Sequence, residues 1–402
     1  MLNIEGQVVD SKPEDFGPPV LRLGFRPFFL AAGVFSILAM AIWMANYVYS
    51  VEFNFSGIAP TLWHAHEMMF GYVMAVVAGF LLTAIKNWTG EEVLRGKPLA
   101  MLFLLWLVAR VLPLTGLVTI EIIAVVDVAF LFFLGLACLR PVMKVRQFKQ
   151  IGIISKIFLL MLCNVAFYLG LLGVLADGVQ WGLYSAMYMI IALIFVMMRR
   201  VMPMFIKNGI DGDIELTNRA WVDHSSLVLL VLLWISDVFT DYDNATAVFA
   251  VLLALLHSLR LAGWYTNRVL SKSLVWVLVA AYASFILGFA LKALSITSGI
   301  SPFLSVHAFT VGGIGMLTIG MMSRVALGHT GRSVFEPPAI VFWSFAVLLL
   351  GVFVRVVLPL FNMEFYVYWI GISQVLWMIS FAIFVVVYAP MLLSERVDGR
   401  DG

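Results

Sequence analysis

The sequence predicts an all-α, polytopic membrane protein: a bundle of about twelve transmembrane helices with both termini cytoplasmic. Three observations lead there. The chain is 63% hydrophobic and 12% charged, with a mean hydropathy of +1.02, whereas soluble domains run near ~45–50% apolar and ~25% charged. Runs long enough to cross a ~30 Å hydrocarbon core fall at roughly 27–49, 62–85, 98–118, 120–140, 151–175, 179–198, 222–240, 245–264, 273–297, 302–326, 337–360 and 365–393. All but three of the 25 lysines and arginines lie in the N-terminal tail or in the turns that share its side, the bias that places a side in the cytoplasm.

Each element follows from this frame. The runs far exceed the ~10 residues of a barrel strand and lack period-two alternation, so they are helices. The whole of 1–402 reads as one integral membrane domain. Residues 1–26 form a polar cytoplasmic tail, 27–393 hold the helices, and 394–402 form a second tail. Glu5, Asp10, Glu14 and Asp15 make the first twenty residues unlike a cleavable signal peptide. A net charge of +2 without a basic stripe excludes a nucleic-acid partner. Cys138 and Cys163 sit in different runs, with no CxxC or CxxCH, which argues against covalent haem, iron–sulfur clusters and a disulfide framework. The topology predicts that reporter fusions at Gly57 or Asp241 behave as periplasmic and fusions at Gly90 or Asn267 as cytoplasmic. The reverse pattern would exchange the two ends of everything that follows.

This topology sorts the six histidines by depth. His64 and His66 open the second helix at the outer face, in "WHAHEMMFGYVMAVVAGFLLTA", and His307 lies one to two turns into the tenth, which runs the same way. From His307 to His329 a helix rises about 33 Å, roughly one hydrocarbon thickness. The expectation is therefore an outer cluster (His64, His66, His307) and an inner one (His257 and His329, with His224 at the same depth in a loop). Imidazole is the commonest ligand for haem iron, copper and zinc, and helices in a bundle can present facing histidines to one metal. The plain alternative is hydrogen bonding between helices.

Residues i and i+2 of a helix point about 200° apart, so His64 and His66 cannot share a metal from a regular helix. The face of His64 continues as Met68, Gly71, Ala75, Ala78 and Gly79, a trough for a flat macrocycle or for a close helix. His64 is thus the better haem candidate, and His66 is left for a second metal or a hydrogen bond. Glu67 is the candidate proton relay. Met68 and Met69 offer thioethers to copper, although such methionines more often fill gaps. The outward-lying Arg110, Lys292 and Arg355 stand at the depth of haem propionates, or pair with Glu121, Asp127 or Glu364. On the inner side, Arg260, Arg324 and Arg332 surround His257 and His329. The segment "MMRRVMPMF" is expected to end the sixth helix, with Pro203 stopping it.

Several stretches together resemble the NnrS family: "LRLGFRPFFL" at 21–30, the His-x-His-Glu helix at 63–84, "RRVMPMF" at 199–205, "LHSLRLAGW" at 256–264 and "HAFTVGGIGMLTIGMMSRVALGHTGR" at 307–332. The resemblance spans nearly the whole chain. It implies a twelve-helix protein of the bacterial inner membrane that contains haem and copper and protects against nitric oxide and nitrosative stress. His64, His66, Glu67, His257, His307, His329 and Arg332 occupy positions matching those motifs, whereas His224 falls in none. The combined expectation is non-covalent haem b with copper and an outer site that binds nitric oxide. As an enzyme, it would couple two nitric oxide molecules to nitrous oxide and water with two electrons and two protons, the electrons coming from quinol because the sequence shows no extramembrane electron-accepting domain. A twelve-helix transporter or metal-handling protein, or a haem-based sensor without turnover, are the rival readings.

Overall fold

The computed structural model describes residues 17–210 and 214–400; the acidic residues of the N-terminal tail lie outside that range. The described residues form no strand and contain twelve helices long and apolar enough to cross a membrane. These are α1 (Phe25–Tyr47), α2 (Pro60–Thr89), α3 (Gly96–Thr115), α4 (Ile120–Lys144), α5 (Phe148–Leu171) and α6 (Gly178–Gly209). They continue as α7 (Ala220–Phe239), α8 (Asp243–Trp264), α9 (Ser273–Thr297), α10 (Pro302–His329), α11 (Ile340–Phe361) and α12 (Tyr366–Leu393).

Enclosure ranks the helices. In α2, α9 and α10, 78%, 72% and 72% of the most apolar stretch is buried inside the protein, against 33% in α3 or α12, so the two helices that carry the outer histidines are central. They touch directly: Tyr72 of α2 and Thr318 of α10 share a buried hydrogen bond of 2.5 Å. The small residues below His64 serve that packing. Phe35 of α1 fills the space at Gly71, and the Phe29 ring and the Phe25 backbone fill the space at Gly79, so the trough accommodates a helix and not a macrocycle. A Cβ on Gly79 would stand 2.8 Å from the Phe29 ring and 3.2 Å from the Phe25 Cα. Gly79→Ala is expected to destabilise by about 1–3 kcal/mol, the usual cost of overpacking. A thermal unfolding scan in detergent checks this, and an unchanged midpoint would show that α1 yields freely.

Three predicted helix details differ in the structure. First, α2 is α-helical over Pro60–His66, π-helical over Glu67–Val73 and α-helical again from Met74. Helix α10 repeats the pattern, with a π segment at Ala308–Gly315 directly after His307. A π turn is wider than 3.6 residues, so residues beyond Glu67 no longer lie where regular spacing puts them. The Trp106 indole N–H donates to the carbonyl of Gly71 in this stretch (3.0 Å). Second, α6 runs through Pro203 to Gly209. Proline removes one N–H near the membrane boundary, and burial of Met202, Ile206 and Gly209 outweighs that loss. Third, α10 extends beyond the expected end at 326 to His329, which therefore closes the helix.

The chain ends of the described region clasp each other. Buried Arg26, at the start of α1, donates to the carbonyls of Leu392 (2.9 Å) and Ser394 (2.6 Å), which the end of α12 leaves without helical partners. Arg22 pairs with Glu395 at 2.6 Å. Arg396 donates to the carbonyl of His329 (3.0 Å), and its guanidinium beside Asp398 holds that carboxyl well below the usual carboxylate range.

Candidate functional site

Both outer helices begin at a proline, Pro60 and Pro302, whose missing N–H costs nothing in a first turn. Each carries its histidine about one turn further on, at the lip of the π segment. His64 is half-buried and stacks on Trp43 of α1, with ring centroids 4.7 Å apart and planes 6° from parallel. Its Nδ1 is buried without a hydrogen-bond partner. His307 donates from Nδ1 to the carbonyl of Phe303 (2.7 Å), one turn back. That bond puts the proton on Nδ1 and leaves Nε2 as the acceptor nitrogen, the tautomer that metal-binding histidines commonly adopt.

Arg355 of α11 completes this end. Its Nη2 lies 3.3 Å from His307 Nδ1 and 3.2 Å from Nε2. No point in the ring plane is that far from both nitrogens without striking the carbon between them, so the guanidinium stands over the ring face. It also donates to the Tyr366 hydroxyl (3.0 Å). His64 lies within electrostatic range of both His307 and Arg355. The structure thus gathers His64, His307 and Arg355 from three helices.

His66 faces the other way and enters a separate, fully enclosed cluster of charges. Its Nε2 donates to Asn164 Oδ1 (2.9 Å), with Asp127 Oδ2 at 3.2 Å, and its Nδ1 meets Glu67 Oε1 at 3.1 Å. Arg110 donates to both oxygens of Glu67 (2.9 and 2.8 Å) and to Asp127. Asn164 and Tyr168 each donate to Asp127 Oδ2, at 2.8 and 3.1 Å. Glu67, Arg110, Asp127 and Asn164 are at most 2% exposed, and His66 is 3% exposed, so helices α2 to α5 meet around charge shielded from water. The cluster balances: guanidinium offsets one carboxylate, and one proton lies between His66 and Glu67 to offset the other. Both nitrogens of His66 are engaged. Met69 is packed in the apolar core, and Met68 is half-buried against it.

Among the remaining candidates, Lys292 is salt-bridged to Asp237, which also accepts from the Tyr188 hydroxyl (2.8 Å). His257 is fully buried between Phe195 (centroids 4.1 Å) and Phe289 (5.6 Å), and no partner meets its Nε2. Arg260 donates to the Tyr282 hydroxyl (3.2 Å), which stands 2.6 Å from His257 Nδ1, and to Asp223 (2.8 Å) and Ser226 (2.9 Å). His329 packs 5.5 Å from the Phe25 ring. The two therefore have different surroundings and do not face each other across shared neighbours. Arg324 lies over the Phe205 ring at 3.9 Å, Arg332 turns back to the Thr330 carbonyl (3.4 Å), and exposed His224 bonds within its own helix to Ala220 (2.7 Å).

Sequence reasoning named Asp127 only as a possible partner for an arginine, and it missed Asn164, Tyr168, Asp237 and Trp43. The available signal was polar residues inside apolar runs, which require partners.

A polytopic helical membrane protein with a histidine near one end of each of two central helices and an enclosed ionic cluster among its helices is the class these features define. Residues 19–396 match the NnrS protein family, and the chain belongs to it. Membership fits a membrane protein of the nitric oxide response. A comparison with curated proteins finds no match.

Proposed function

We propose that this protein binds haem b non-covalently at the end marked by His64 and His307, and that nitric oxide is bound there in defence against nitrosative stress. One observation carries the reading: two histidines from the central helices lie within electrostatic range of each other beside a cation, His64 with a buried Nδ1 that has no partner and His307 with an Nε2 that faces only Arg355. His64 and His307 would hold the iron, and Arg355 would face a propionate. Bound haem would supply the iron that coordinates nitric oxide. The residues themselves orient and exclude: Phe303 fixes the His307 tautomer, Trp43 fixes the His64 ring, and the phenylalanines of α1 close the space beneath.

The set His66, Met68 and Met69 does not fit a copper centre, because His66 is consumed by the ionic cluster. Among the described residues, no group of three histidine, cysteine or acidic side chains is arranged to hold a metal ion. Glu67, in contact with His66 at 3.1 Å, would be the proton relay if nitric oxide is reduced with electrons from quinol. An optical spectrum of the purified protein tests the central reading. A Soret band with reduced α and β bands is expected, and acid–acetone should strip the colour. Colourless protein from haem-replete cells, or colour that stays with the polypeptide, would overturn it.

A further inference from the structure

Away from the histidines, a groove of about 1130 Å³ opens between α3 and α4 on the basic side of the protein. Its walls are apolar: Met101 and Leu102 on one helix face Phe133 and Leu136 on the other. Met101 is 70% exposed and Phe133 53%, so the groove opens sideways, where lipid lies. Its size slightly exceeds the ~300–1,000 Å³ typical of small-molecule sites.

Two further observations specify the occupant. Pro141, in the last turn of α4, has no N–H to offer the carbonyl of Ala137 one turn back, and both residues line the groove. A carbonyl without its helical donor is costly beside hydrocarbon and favours an occupant that brings a hydrogen-bond donor, such as a hydroxyl. At the mouth stands Arg140, exposed and with no hydrogen bond or ion pair among the described residues. The neighbouring charges are already matched: Lys144 pairs with Glu91 at 2.6 Å, and Lys86 pairs with Glu92 at 2.6 Å. One uncompensated cation thus tops an apolar cleft at the level of the headgroups. Basic pockets between helices on this side of a membrane recognise anionic headgroups.

We propose that this groove is a specific site for one anionic phospholipid, with its acyl chains between α3 and α4, its phosphate on Arg140 and a headgroup hydroxyl near Ala137. The site does not depend on the haem reading.

Native mass spectrometry of the full-length protein tests it, with phosphatidylglycerol and phosphatidylethanolamine of identical acyl chains as probes. Wild type should retain one phosphatidylglycerol in preference to phosphatidylethanolamine, and excess inorganic phosphate should not displace it. Arg140→Gln should weaken retention about fivefold, the scale of one basic residue at a membrane surface. Ala137→Trp, which fills the cleft and keeps the charge, should weaken it as well. Lys207→Gln, an exposed cation on the same side beyond the groove, should leave retention unchanged. Equal retention of the two lipids, wild-type retention in Arg140→Gln and Ala137→Trp, or an equal loss in Lys207→Gln would each overturn the site. Gel filtration confirms that each variant is folded before its lipid is counted.

Discussion

Arg110→Leu is expected to prevent accumulation of folded protein in the membrane. Among the described residues, Arg110 is the guanidinium that touches both Glu67 and Asp127, and all three side chains are at most 2% exposed. Removing it leaves two carboxylates and a single shared proton in a place that water does not reach. Breaking a buried ion pair by deleting one partner costs about 3–5 kcal/mol, a large part of a total stability of roughly 5–15 kcal/mol. Arg110→Lys should recover little, because one ammonium cannot fork between two carboxylates as a guanidinium does. Adding Glu67→Gln and Asp127→Asn to Arg110→Leu should restore much of the yield by removing the stranded charge. The measurement is membrane-integrated protein per cell, with the unfolding midpoint of whatever is purified. Wild-type yield and midpoint for Arg110→Leu alone would mean that the cluster contributes nothing to holding α2 to α5 together.

The second large effect concerns the outer pair. His64→Ala or His307→Ala should each lower haem content sharply in a pyridine haemochrome assay, because each removes a metal–ligand bond. The loss should occur in a protein that still runs as a monodisperse species, since both rings are only half-buried and neither enters the ionic cluster. His66→Ala should behave differently. It removes one of the groups that balance Glu67 and Asp127, so its loss should appear first in yield and stability, with haem falling in proportion to folded protein. His224→Ala, at an exposed ring bonded within its own helix, is the neutral comparison. Full haem in His64→Ala and His307→Ala alike would remove the outer haem site from consideration.

The two histidines of α2 show how far a pattern can be read. Their divergence follows from helical spacing alone, because Pro60–His66 is a regular α-helix. One ring accordingly stacks on Trp43 of α1, and the other enters the contacts of α4 and α5. The trough below His64 was legible only in composition: small residues admit either a cofactor or a neighbour, and the rings of Phe29 and Phe35 decide for the neighbour. The π segments left no mark that periodicity could detect, since apolar residues continue on every side of a central helix. His257 and His329 were grouped by depth, but depth carries no azimuth. One is caged by Phe195 and Phe289, and the other rests against Phe25 beside the clasped chain ends.

The sequence by itself determined that the chain crosses a membrane as twelve helices, because hydrocarbon admits few backbone solutions and the length and apolarity of each run suffice to meet them. It also determined which polar side chains are held at membrane depth, since a charge inside an apolar run is visible without any contact being known. Only the tertiary structure decided how those side chains pair. Arg110 could have met Glu121, Asp127 or a propionate, and Lys292 found Asp237, which no spacing indicated. The reason is physical: in hydrocarbon the cost of an unpaired charge depends on what stands within about 3 Å of it, and that is set by the rotation and tilt of neighbouring helices, which packing between them controls.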